Sequence, residues 1–312
     1  MLLQPDCILC LLKVSLMAIR ELTPDERRVR ELMSLVVNLP FMRRPEWTTM
    51  SPQLFEKVFL GVSSSFDDRD PFEVVKERQN RKGLELYPWL KGLVSRSNDP
   101  VFTAVNLAII GNSLDVNWSG GSVEVEPIIE SKLKRPVSSP GYEEFIGMLE
   151  QARRVVYLTD NAGEIVFDKL LIETMRQSAD PEVVCVVKSV PVLNDATMSE
   201  ARIVGLDQVA TVVENGIDGP VPGTILARCS DDVRRLIEEA DLIISKGGGN
   251  FDTLDEEVGL DDRLFFMLMC KCVPYCTYFS AKLYEPILSR PIRGERRRIG
   301  HNSVQRRDHA SL

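Results

Sequence analysis

The stretch "TDNAGEIVFDKL", residues 159–170, decides how the chain is read. The apolar run "RVVYL" (154–158) leads into it, and helix-like spacing follows. Asp160, Asn161, Gly163 and Glu164 therefore sit where a strand passes into a helix. Three further short Val/Ile/Leu runs come later, "EVVCVVKS" (182–189), "QVATVVEN" (208–215) and "ADLIISKG" (240–247), with helix-like segments between them. Apolar strands separated by helices indicate a mostly parallel sheet covered on both faces. Right-handed crossovers then favour a doubly wound α/β arrangement.

Before about residue 135 the texture is helical. "DCILCLLKVSLMAIREL" (6–22) places Ile8, Leu11, Leu12, Leu16 and Ile19 on a 3.6-residue rhythm. "TPDERRVRELMSLVVNL" (23–39) opens on a Thr cap, an early Pro and acids, and "SPQLFEKVFLGV" (51–62) repeats that opening. Two more helical segments begin with Asp-Pro at 70 and 99. The expected division is a helical part over 1–135, an α/β part over 136–288, and a polar, Arg-rich tail over 289–312 that reads as flexible.

Composition narrows the function. The 312 residues carry a net charge of -8, and 44% are hydrophobic, enough for a sizeable core. An acidic balance argues against a nucleic-acid partner, because phosphate backbones attract basic surfaces. A phosphorylated small molecule stays compatible, since a few local cations or one metal override the mean field. No run has the roughly 18 uninterrupted apolar residues of a membrane span. "CILCLLKVSLMAI" contains Lys13 and lacks the marks of a signal peptide, so a cytoplasmic location and no membrane partner are expected. Thiols are mostly reduced there, so the seven cysteines need not form disulfides. The only histidines, His301 and His309, lie in the tail, which excludes a Ser-His-Asp or Cys-His engine in the body.

Ligands of open α/β sheets bind beyond the carboxyl ends of the strands. Three junctions fall there: "LTDNAGE" (158–164), "VKSVPVLNDAT" (187–197) and "IISKGGGNFDTL" (243–254). Asp160 and Asp195 lie about one strand-helix-strand unit apart, close enough to share one rim. Two adjacent carboxylates raise each other's pKa unless a cation separates them. With the Asn161 oxygen they form an all-oxygen set suited to Mg²⁺ or Mn²⁺. Pattern alone gives equal weight to Asp160 and Asn161 as turn and cap residues. The three glycines of "SKGGGN" can bring backbone N–H groups close to an anion at a helix N-terminus, with Lys246 supplying a charge beside them. A plain tight turn fits equally, and neither G-x-x-x-x-G-K-[ST] nor G-x-G-x-x-G is present. Lys271 lies in the run "FFMLMCKC", where it either snorkels at a strand end or points into the site. Cys7 and Cys10 form one C-x-x-C pair, open to core packing or redox chemistry; their distance in sequence from every carboxylate junction argues against a part in the chemistry.

Together these motifs resemble the metal-dependent damage-control phosphatases, catalogued as domain of unknown function 89. The resemblance runs through "DNAGEIVFD" (160–168), "LNDAT" (193–197), "SKGGGNFDTL" (245–254) and "KC" (271–272). In the helical part it takes in Asp70, Pro71, Phe72, Lys76 and Asn80, "GNSLD" (111–115), and "CILC" (7–10), the C-x-x-C mark of a mainly prokaryotic subfamily. It implies a Rossmann-like α/β/α domain with a helical N-terminal part. It implies a divalent metal, Mn²⁺, Co²⁺ or Ni²⁺, at Asp160, Asn161 and Asp195, and an acidic active-site position at Glu164. It also implies a substrate loop at Gly248, Gly249, Asn250 and Phe251, and a substrate-binding lysine at Lys271. From "VPYCTYF" (273–279) onward the chain departs from the family pattern, and no site is placed there. The implied activity is hydrolysis of phosphomonoesters of small metabolites. A covalent route through Asp160 is disfavoured because position 162 is Ala, which breaks the D-x-D pattern. The rivals are an S-adenosylmethionine-dependent methyltransferase and a non-catalytic binder of metal or phosphometabolite.

Overall fold

The computed structural model describes residues 1–64, 70–112 and 125–292. Four helices come first: α1 (Pro5–Leu22), α2 (Glu26–Asn38), α3 (Pro40–Arg43) and α4 (Ser51–Ser63). Their apolar stripes close around Leu11, Ile19, Leu32, Val36 and Leu54. Each such side chain removed from water contributes about 1.5–3 kcal/mol before entropy is counted. The cap of α2 is Asp25, which accepts from the Arg27 N–H at 2.9 Å, rather than the expected Thr23. Thr23 instead accepts from the Asp25 N–H, so the two residues share the turn.

Next come α5 (Glu73–Ser95), α6 (Pro100–Gly111), α7 (Glu126–Leu133) and α8 (Ser139–Leu149). Strands and helices then alternate: β1 (Arg154–Leu158), α9 (Glu164–Ser178), β2 (Glu182–Val187), α10 (Met198–Val204) and β3 (Thr211–Glu214). After α11 (Asp231–Glu239), the chain forms β4 (Leu242–Lys246), α12 (Gly247–Leu254), β5 (Leu264–Met269), α13 (Val273–Phe279) and β6 (Pro286–Ser289).

The six strands form one sheet in the order β3-β2-β1-β4-β5-β6. All pairs are parallel except β5 with β6. The expected mostly parallel, doubly wound α/β sheet is present. Side chains alternate between its faces. Val155, Tyr157, Ile244, Phe265 and Met267 share one apolar cluster with residues of α5, α6 and α9. Val156, Leu158, Ile243 and Phe266 face the other way, with Val233 of α11 and Phe251 of α12. Helices α5 and α6 belong to the expected helical part by sequence, yet their packing joins them to the sheet. Late in the chain, Ser289 pairs with Phe266, so strand structure takes in the first residue of the expected tail. Most of that tail, 293–312, lies outside the described residues. Among the described residues no helix is long and apolar enough to cross a membrane.

The order reverses direction between β1 and β4, which pair side by side through Val155–Leu242 and Leu158–Ser245. This is the switch point where open α/β sheets form a crevice beyond the strand ends.

Candidate active site

Strand β1 delivers Asp160 and Asn161 to that crevice through a turn that ends at Gly163 (φ 73°), the cap of α9. The loop after β2 is tied to the same turn. The Ala196 N–H donates to the Asp160 carbonyl at 2.8 Å, and the Ala162 N–H donates to the Asn194 carbonyl at 2.8 Å. Asp195 is thereby fixed opposite Asn161 in a short antiparallel bridge. Asp160, Asn161 and Asp195 are all buried, and all line one cavity of about 430 Å³. The expected oxygen set thus comes together in one place.

Two side-chain amides knit the carboxylates. Nδ2 of Asn161 and Nδ2 of Asn112 each donate to both Asp160 Oδ2 and Glu164 Oε2, at 2.7–2.9 Å. Asn112 belongs to the motif "GNSLD"; Ser113, Leu114 and Asp115 of that motif lie outside the described residues. Asn80 Oδ1 accepts from the Gly163 N–H at 2.7 Å, and Lys76 is paired with Asp70 and with Glu200 of α10. The helical motifs therefore hold the loops of the site in place.

Electrostatically the rim is short of positive charge. Burial, then the neighbouring Glu164 and Asp195, push the Asp160 carboxyl well above the usual range, against the pull of Lys271 and Lys188. Burial raises Asp195 to about 6, with Lys188 as the main opposing influence. The ammonium of Lys188 stands 3.5 Å from Asp195 Oδ2, but it donates at 2.8 Å to the Gly223 carbonyl. Asp195 Oδ2 is left buried without a hydrogen-bond donor among the described residues. An acceptor so placed fits a cation, and the all-oxygen donors suit a hard or borderline divalent ion. Among the described residues no group of three His, Cys, Asp or Glu is arranged to hold a metal, so the amide oxygen of Asn161 would have to complete the set.

Glu164 is fully buried and is absent from the cavity lining. Burial would raise its carboxyl, but Lys246 and the Asn112 amide hold it below the usual value. The lysine expected to charge the glycine loop is in fact turned inward. Lys246 Nζ reaches Glu164 Oε1 at 2.6 Å, Asp168 Oδ1 at 2.5 Å and the Ala108 carbonyl at 3.0 Å, and it is fully buried. Its donors are all engaged, so the substrate-binding role expected for it is corrected to an internal one. Tyr157 adds its hydroxyl to Asp168 Oδ1 at 2.8 Å.

Gly248 and Gly249 line the cavity from the first turn of α12. Helix α12 opens directly at the end of β4, so its N-terminal dipole faces the crevice. Asn250 and Phe251 are not in the lining. Asn250 Nδ2 braces the loop by donating to the Thr159 and Lys246 carbonyls, at 2.9 and 2.8 Å. Phe251 is packed edge-on among Phe266, Tyr275 and Tyr278, with ring centroids 4.9–5.0 Å apart. Substrate contact through these two side chains is corrected to support of the loop, because both are fully buried.

Strand β5 ends at Met269, and Lys271 stands exposed at the cavity mouth, past the apolar run. Its exposure fits a lysine extended from a strand end, and its place in the lining fits one that faces the site. The remaining departures concern cysteines and the chain's end. Helix α1 brings Cys7 and Cys10 into the lining of the same cavity, despite their distance in sequence. Burial raises both thiols, Cys7 to about 11, which keeps them protonated and poorly nucleophilic. Cys272 also lines the cavity, and so do Pro274 and Tyr275, in the region where no site was expected. The sequence reading also missed Lys188, although a lysine closes both "EVVCVVK" and "ADLIISK".

The family model for the damage-control phosphatase ARMT1-like domain matches residues 3–287. A damage-control phosphatase of Archaeoglobus fulgidus is 32% identical over 280 residues, covering 87% of this chain and 93% of that one. An uncharacterized protein of Methanocaldococcus jannaschii is 29% identical over 297 residues, covering 92% and 94%. The crystal structure of a DUF89 family protein from Pyrococcus horikoshii superposes with a TM-score of 0.80 at 27% identity, covering 94% of this chain and all of that one. The chain belongs to the damage-control phosphatase ARMT1-like (DUF89) family.

Proposed function

We propose that the protein is a metal-dependent phosphatase of phosphomonoesters of small metabolites. The observation that carries the reading is the juxtaposition of Asp160, Asn161 and Asp195 at the β1–β4 switch point, facing the N-terminus of α12 across one cavity. Asp160, Asn161 and Asp195 would hold a divalent cation: their oxygen donors suit Mg²⁺ or Mn²⁺, and the family resemblance implies Mn²⁺, Co²⁺ or Ni²⁺. Such a cation supplies Lewis acidity toward a phosphoryl oxygen and a nucleophilic water.

The chain's own residues do the rest. Lys271 binds and neutralises a phosphoryl oxygen from the cavity mouth. The first turn of α12 adds backbone N–H groups and the helix dipole to the same anion. Glu164, Asn112 and Asn161 fix the Asp160 carboxylate through shared hydrogen bonds, so Glu164 positions and does not touch substrate. The apolar side chains of Phe55, Val75 and Leu193 border the remaining space and keep bulk water from the leaving group.

The test is phosphate release from a phosphometabolite panel with each metal in turn, after chelation and reloading. Metal-dependent turnover is the expected result. Metal and ligand binding without turnover on any ester would replace this reading with a binding protein. Tight S-adenosylmethionine binding without phosphate release would replace it with a methyltransferase.

A further inference from the structure

Arg78 of α5 lines the same cavity as Asp160, Asp195 and Lys271. Its neighbour Gln79 accepts from Asn194 Nδ2 at 3.1 Å, which fixes this part of the helix against the loop carrying Asp195. The Nε and Nη2 atoms of Arg78 are buried, and neither has a hydrogen-bond partner among the described residues. Asp6 and Glu21 of α1 also line the cavity, yet among the described residues neither pairs with the Nε or Nη2 of Arg78.

A guanidinium is permanently charged and presents its donors in a planar fork that matches a carboxylate or phosphate. A buried donor left without a partner costs about 1–3 kcal/mol, and more when it is charged. Long cationic side chains usually avoid that cost by extending their heads into water. Here Nε and Nη2 are covered by protein while Arg78 itself borders the cavity, so a turn of the guanidinium would bring the fork to an anion held there. Phe55, Phe72, Val75 and Leu193 form the apolar wall on that side and offer them no acceptor. Leu193 even adopts a left-handed backbone (φ 48°) that a β-carbon disfavours. An anion entering from solvent would satisfy the fork, and the cavity is large enough, at about 430 Å³, for a phosphoryl group and more.

We propose that Arg78 is a substrate-binding residue that receives an anionic oxygen pair of the phosphometabolite. The pair belongs either to the phosphoryl group itself or to a second anionic group, a carboxylate or another phosphate, on the leaving group. This inference rests on the phosphatase reading for its kinetics, but binding tests it independently.

The variants are Arg78→Met, which keeps much of the stem, and Arg78→Lys, which keeps the charge without the fork. Both are assayed on p-nitrophenyl phosphate, with one anionic group, and on 2-phosphoglycolate, with two. Loss of a charge-assisted hydrogen bond should lower kcat/KM of the Met variant by about tenfold to a hundredfold. Equal loss on both esters assigns the phosphoryl group, and loss on phosphoglycolate alone assigns the second anion. The melting temperature should stay level or rise, because an unpaired buried charge is removed. Parent-like kcat/KM on both esters overturns the proposal, as does a loss matched by a fall in melting temperature in both variants. If the Met variant does not fold, the Lys variant carries the test, with a loss of about tenfold expected at parental stability. Should the parent turn over neither ester, the phosphatase reading fails. Calorimetric titration of inorganic phosphate and of phosphoglycolate into the metal-loaded protein then decides for Arg78. Weaker binding by the Met variant upholds it; equal affinity, or no binding by the parent, overturns it.

Discussion

A β-carbon on Gly247 would stand 1.8 Å from Oδ2 of Asp160. The two residues meet across the seam where β4 ends beside β1, and Gly247 also has a left-handed backbone, φ 75°. Gly247→Ala should therefore cost about 1–2 kcal/mol in backbone strain and displace the carboxylate as well. We expect a fall in kcat/KM on the order of a hundredfold or more, larger than the loss of stability alone explains. Steady-state kinetics beside a thermal melt separates the two, and parental kinetics would remove Asp160 from the site.

Asp195→Ala should abolish metal-dependent turnover and weaken metal binding while the protein stays folded. Its carboxylate sits on the rim, its Oδ2 has no hydrogen bond among the described residues, and the Lys188 ammonium 3.5 Å away keeps the Gly223 carbonyl as an acceptor. Calorimetric titration of Mn²⁺ into parent and variant is the direct check. Unchanged affinity would exclude Asp195 from the metal set.

The two lysines of the glycine loop and of the β5 end should respond in opposite ways. Lys246→Met strands Glu164 and Asp168 in the interior, and breaking a buried pair costs about 3–5 kcal/mol. A large fall in melting temperature, or failure to fold, is expected. Lys271→Met, at an exposed position, should leave stability within about 0.5 kcal/mol. Its kcat/KM should fall on the order of a hundredfold as a charged contact to the transition state is lost. A Lys271→Met enzyme within a fewfold of the parent would place that side chain outside the chemistry.

Asp252 supplies a pH signature apart from Asp160, Asn161 and Asp195. Burial raises its carboxyl to about 6, against the pull of the N-terminal ammonium and then of its Ser51 hydrogen bond at 2.6 Å, and its Oδ1 has no partner among the described residues. A folded pKa above the unfolded value means that the native state prefers the protonated form. The contribution is fully present below pH 4 and is lost as pH rises to about 6. Asp252→Asn should match the parent near pH 4 and then gain on it, levelling off above pH 6, by a few degrees of melting temperature. A difference that is flat with pH would contradict the raised carboxyl.

The strands were legible because each is a short apolar run ending at a charged or amide residue, as with "RVVYL" before Thr159 and Asp160. The meeting of Asp160, Asn161 and Asp195 could be read for the same reason, since parallel strands put their exits on one rim. Burial direction was harder to see. Lys246 and Lys271 both follow apolar runs, but only the three-dimensional placement of Glu164 and Asp168 draws Lys246 inward. The place of Cys7, Cys10 and Arg78 in the cavity lining was not legible, because their helices reach it from remote parts of the chain and local pattern carries no record of such approaches. The short antiparallel β6 lay in a stretch with little alternation, so its pairing depends on the exposed edge of β5.

The switch point also dictates when the site can exist. Its two walls are strands far apart in the chain: the Arg154 N–H already reaches Asp241 across 87 residues. Contacts of such separation form late, after the entropy of closing a long loop has been met. A ribosome-bound chain that ends before β4 holds Asp160 and Asp195 but lacks the neighbour that completes their crevice. It also leaves one side of β1 unpaired and open to strand addition by another molecule. Any metal capture at Asp160 and Asp195 would therefore lag behind their synthesis, with the finished sheet acting as a checkpoint on catalytic competence.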